Sequence, residues 1–68
     1  MFDNWTMVYT ANKMYKIEII QALFTEVGIE SNSINKKDSN YLFGDIELYV
    51  HNEDVIKAKQ IIEQHPDL

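Results

Sequence analysis

The run Ile46-Glu47-Leu48-Tyr49-Val50 alternates cleanly between apolar and polar or amphipathic side chains. Successive side chains of an extended chain leave on opposite faces. Ile46, Leu48 and Val50 therefore share one face, and Glu47, Tyr49 and His51 share the other. A strand of this kind needs a roof on its apolar face and tolerates water on its second face, as antiparallel sheets do. A chain of 68 residues builds only one core. The strand thus predicts a single domain over residues 1–68, with a sheet under one layer of helices.

The remaining elements follow from local pattern. Trp5-Thr6-Met7-Val8-Tyr9-Thr10 is aromatic and β-branched, which suits a pleated strand. Asn12 then offers a helix N-cap. Ile17, Ile20, Phe24 and Val27 recur at helical spacing, Leu23 widens the stripe, and Glu18, Gln21 and Thr25 fall on the opposite side. Gly28 ends this helix, because glycine takes the left-handed conformation without steric cost, and Ile29 closes the hydrophobic contact beyond it. Glu30 to Lys36 reads as a polar edge strand anchored by Ile34. Lys36 to Asp45 is a connector with turn chemistry at Asp38, Ser39, Asn40 and Gly44. Asn52 offers a second N-cap, followed by Glu53 and Asp54 where the helix dipole favours acids. Val55, Ala58, Ile61 and Ile62 form a second helical stripe, and Pro66 stops that helix near Gln64.

The order strand, helix, strand, strand, helix predicts an α+β fold of the ferredoxin-like βαββα kind. Its sheet has three antiparallel strands in the order 1-3-2, with the Ile46–Val50 strand central and both helices on one face. Pro66-Asp67-Leu68 leave no room for a fourth strand, so the outer edge of the first strand is expected to be open. If Trp5, Met7 and Tyr9 form the outward set of that strand, an aromatic patch lies exposed beside Tyr49; Thr6, Val8 and Thr10 are the alternative set. An open apolar edge, an aromatic patch and a thin core together favour a homodimer.

Charge narrows the range of partners. The chain carries six lysines, no arginine and a formal charge of −5. Nucleic-acid binding needs clustered cations to displace counterions, and here only Lys36 and Lys37 adjoin. Nucleic acid and anionic membranes are therefore not expected partners. No apolar run approaches the ~18 residues of a membrane span, and Met1-Phe2-Asp3-Asn4 does not begin a secretory signal. With no cysteine and an acidic balance, the expected compartment is the cytoplasm.

The chemistry of catalysis is sparse. His51 and His65 stand fourteen apart in no metal-ligand spacing, and an exposed strand-end histidine explains His51 better than a metal site with Glu53 and Asp54. Ser31, Ser33 and Ser39 occupy no nucleophile elbow. Two isolated glycines cannot write a phosphate-binding loop. The expectation is a chain that is not an enzyme and takes no cofactor or metal.

One stretch is richer than a connector requires. Asn35 to Gly44 combines amide, ammonium, carboxylate, hydroxyl and aromatic groups. As a turn, Asp38 and Ser39 cap backbone amides. As a recognition segment, Asn35, Lys37, Asp38, Ser39 and Tyr41 contact a small molecule or a protein partner, with Tyr49 on the sheet face beside them.

The residues also resemble a family of small bacterial domains known as prokaryotic signal transducing proteins. The resemblance runs through Trp5 and Val8, Leu23-Phe24-Thr25-Glu26-Val27-Gly28-Ile29 and Asn35-Lys36-Lys37-Asp38-Ser39-Asn40-Tyr41. It continues through Gly44-Asp45-Ile46-Glu47-Leu48-Tyr49-Val50, then Glu53-Asp54 and Ala58. The run from Asn35 to Val50 is its most specific part. The resemblance implies a ferredoxin-like or P-II-like fold and a regulatory, signal-transducing role. It does not imply P-II nucleotide binding, because this chain is far shorter and lacks the long effector loop and the glycine- and arginine-rich nucleotide site. A protein-protein interaction module working through the open sheet edge and aromatic face is the second expectation.

Overall fold

A computed structural model describes residues 3–36 and 46–66. Its elements are β1 (Trp5–Ala11), α1 (Met14–Glu26), β2 (Ser31–Asn35), β3 (Ile46–His51) and α2 (Val55–Glu63), with a short 3-10 turn over Asn52–Asp54 before α2. The sheet has the order β1-β3-β2, and both pairings are antiparallel. This is the α+β, ferredoxin-like arrangement expected from the order of patterns.

β3 organises the core. Ile46, Leu48 and Val50 are fully buried, together with Ile17, Ile20 and Phe24 of α1 and Ala58 of α2. Ile29 completes this cluster, and Val8, Tyr9, Ala11, Leu23, Val55, Ile61 and Ile62 pack around it. Both helices therefore cover the Ile46-Leu48-Val50 face. No buried side-chain nitrogen or oxygen among the described residues lacks a hydrogen-bond partner.

The end of α1 is a Schellman motif. Gly28 takes φ +80°, its N–H donates to the Thr25 carbonyl at 3.1 Å, and the Ile29 N–H donates to the Phe24 carbonyl at 2.9 Å. These bonds satisfy carbonyls that the helix end would otherwise leave bare. The turn also moves the apolar anchor. Val27 is the C-cap, past the last helical residue, and is 45% exposed. Ile29 takes the buried place that periodicity assigns to Val27.

Both expected N-caps are displaced. The N-cap of α1 is Lys13, one residue after Asn12, in an extended conformation and without a side-chain cap. Asn52 opens the 3-10 turn instead of capping α2, whose N-cap is Asp54. The Asn52 side-chain oxygen accepts from the Thr6 hydroxyl, and its N–H donates to the Asn4 carbonyl at 2.8 Å. Its amide is spent on tying β1 to the start of the second helical segment.

The far side of α1 also differs from expectation. At about 100° per residue, Glu18, Gln21 and Thr25 lie on a flank. The line directly opposite the core runs through Tyr15, Ile19, Ala22 and Glu26, all exposed.

Candidate functional site

Register decides what the uncovered face of the sheet presents. Residues paired across an antiparallel ladder share a face. Trp5 pairs with His51, Met7 with Tyr49, and Thr10 with Glu47. On the other side of β3, Asn32 pairs with Tyr49 and Ile34 with Glu47. The face away from the helices thus carries Trp5, Met7, Thr10, Asn32, Ile34, Glu47, Tyr49 and His51.

A β-bulge between Met7 and Tyr9 settles which residues of β1 face outward. The extra residue reverses the alternation, so that Val8 and Tyr9 both pack on the core. Trp5 and Met7 look outward before the bulge, and Thr10 does so after it. Neither strictly alternating set is realised, and Tyr9 is not on the aromatic face. Among the described residues no strand pairs with the outer edge of β1.

The polar groups of the open face are joined. The Tyr49 hydroxyl donates to Glu47 Oε1 at 2.9 Å. Lys36 Nζ lies 3.3 Å from Glu47 Oε2. The hydrogen bond to Glu47 holds the Tyr49 proton and raises its pKa above the ordinary phenol value; desolvation and the Glu47 charge act in the same direction, and Lys36 acts against them. At the other end of β3 the His51 ring stacks on Trp5, with centroids 3.9 Å apart and planes tilted by 32°. His51 Nε2 also lies 3.0 Å from Glu30 Oε1. One histidine thus links β1, β3 and the residue before β2.

Of the site residues expected from the sequence, Tyr49 stands where the alternation puts it, on the open face. Asn35 pairs with Ile46 and so belongs by register to the helix-covered side. Lys37, Asp38, Ser39 and Tyr41 lie outside the described residues. Sequence reading overlooked the Trp5–His51 stack and the Tyr49–Glu47–Lys36 chain. The period-2 spacing of Glu47, Tyr49 and His51 signalled a shared face, but the strand opposite them became known only with the register.

The described residues form two depressions. One depression is lined by Gln21, Thr25, Gly28, Ile29, Glu30 and Ser31, and a smaller one by Asn4, His51, Asn52 and Glu53. Both are open to solvent. No group of three or more metal-ligating side chains assembles among the described residues, and no helix among them is long and apolar enough to cross a membrane.

The geometry defines a class: a small α+β domain whose sheet is roofed by two helices on one side and, among the described residues, carries no helix on the other. The chain belongs to the family described as "Putative prokaryotic signal transducing protein", whose model matches residues 5–65, from the start of β1 to just past α2. Neither the curated proteins nor the solved structures contain a match.

Proposed function

We propose that the chain is a non-catalytic signalling module that recognises another protein through the bare face of its sheet and the edge of β1. The observation that supports this reading is the grouping of Trp5, Met7, Ile34 and Tyr49 on the sheet face that no described helix covers, Met7 exposed and the other three half-buried, beside the paired Glu47 and Lys36. Aromatic and methionine side chains are enriched in interface cores, whereas Glu and Lys are depleted there, so the Glu47–Lys36 pair would sit at the rim of the contact. β1 has no charged residue from Trp5 to Ala11, so nothing on the strand repels an incoming chain. An open, shallow surface suits a protein better than a metabolite, which needs enclosure. Asn35, Lys37, Asp38, Ser39 and Tyr41 would extend the contact along the β2–β3 connection. The acidic, cysteine-free composition fits work in the cytoplasm, and homodimerisation would add stability to a small core.

Affinity capture from the native cell tests this reading. Met7→Lys and Tyr49→Lys place charge on the bare face. Each should lose a partner that the wild-type chain retains, with unchanged circular dichroism. Retention of all partners by both variants would contradict the reading. A melt against nucleotides, amino acids and common metabolites separates the small-molecule alternative: a raised Tm abolished by Asp38→Ala would support sensing through the connector instead.

A further inference from the structure

The outward line of α1 carries apolar side chains over its first two turns, where a solvent face should be polar. Tyr15 is 58% exposed and Ile19 41% exposed, and Ala22 and Glu26 continue the line. The spacing is four, three, four, which is the seam of a two-stranded coiled coil. The core stripe of the same helix, Ile17, Ile20 and Phe24, lies on the other side, so this second stripe is not part of the core. The charges of α1 are also reversed against its dipole. Lys13 and Lys16 stand at its start and Glu26 in its last turn, with no acid in the first turn and no base in the last. Either end would prefer the opposite charge.

We propose that two copies of the chain dimerise through α1, packed antiparallel about a two-fold axis that passes between Ile19 and Ala22. The stripe is self-complementary in that arrangement. Ile19 of one copy meets Ala22 of the other, a large side chain against a small one that permits close approach of the helices. Tyr15 comes level with the second copy's Glu26, and Lys16 on the adjoining flank comes within reach of the same carboxylate. The symmetry makes each of these contacts twice. The antiparallel pairing also brings the cationic start of one helix to the acidic end of the other, which offsets both unfavourable dipole placements. The contact lies on the helix side of the domain and leaves the bare sheet face free. A single short helix buries less than the roughly 800 Å² per partner of a standard interface, so the dimer should dissociate on dilution.

Sedimentation equilibrium over a concentration series tests this on the full chain. The wild-type mass should rise from 8.0 kDa towards twice that value with concentration. Lys16→Glu alone and Glu26→Lys alone should each weaken association by roughly tenfold or more. The double charge swap should restore it to within about threefold of wild type. Ile19→Lys should leave a monomer, and Ile19 is exposed enough for the fold to survive it. The proposal is overturned if the wild type stays monomeric to millimolar concentration, or if both single charge variants associate as wild type does. It is equally overturned if Met7→Lys abolishes association and Ile19→Lys does not, which would place self-contact on the sheet. Loss of α1 association leaves the sheet-face partner reading intact, because capture by the monomeric Ile19→Lys chain tests that separately.

Discussion

At Gly28 the backbone stands at φ +80°, and a Cβ added there would meet nothing within 4 Å. The cost of adding a Cβ there is therefore that of the backbone conformation. Gly28→Val should destabilise by about 1–2 kcal/mol, the penalty of a left-handed backbone for a branched side chain, read as a lower urea midpoint. Ile20 and Leu48 are fully buried. Truncation of either to alanine should cost ~2–5 kcal/mol through lost transfer energy and the cavity left behind. Tyr49 provides a pH signature. Its raised pKa means that the folded chain holds the phenolic proton more tightly than the unfolded chain does. The stability it contributes is whole below the ordinary tyrosine value near 10 and declines as pH rises through the higher folded value. In a phenolate absorbance titration, Glu47→Gln should bring the Tyr49 component down in pH, with Tyr49→Phe identifying that component among the four tyrosines.

At the scale of elements, β3 is paired on both sides, whereas β1 and β2 are each paired on one among the described residues. Hydrogen exchange should be slowest at the amides of β3 and faster at those β1 amides directed away from it; uniform protection across the sheet would contradict an open β1 edge. Strong periodicity made these elements legible in the sequence. The alternation of Ile46 to Val50 and the stripes Ile17-Ile20-Phe24 and Val55-Ala58-Ile61-Ile62 each admit one burial. The caps were less legible. Asn12 and Asn52 are good capping residues by type, but a cap depends on where the first helical turn begins, and tertiary demands shifted both helices. Asn52 is the clearer case, since its side-chain oxygen receives the Thr6 hydroxyl. Tyr9 was illegible for another reason. Period-2 reasoning assumes an unbroken ladder, and the bulge after Met7 turns the second half of β1 over. Tyr9→Arg should therefore disrupt the packing on the core, and Met7 is the outward probe.

For the molecule as a whole, strand order and the one-sided roof follow from the succession of patterns and the rules of connection. The candidate site was legible only in part. The face of Tyr49 is written in its own strand. The face of Asn35 depends on the register that β2 adopts against β3, which no local pattern specifies. The outer stripe of α1 is not legible in the sequence, because the polar residues Glu18, Gln21 and Thr25 mark a flank of the helix and not the line opposite its core. The two proposals assign separate contact surfaces to the domain: the helix layer to its own copy and the opposite sheet face to a partner in signalling. A photo-cross-linking amino acid placed singly at Met7 and at Ile19 in the native cell tests that division most directly. Two separate surfaces should give adducts at about twice the chain mass from position 19 and adducts with a different protein from position 7. Identical adducts from both positions, or self-adducts from position 7 alone, would contradict it.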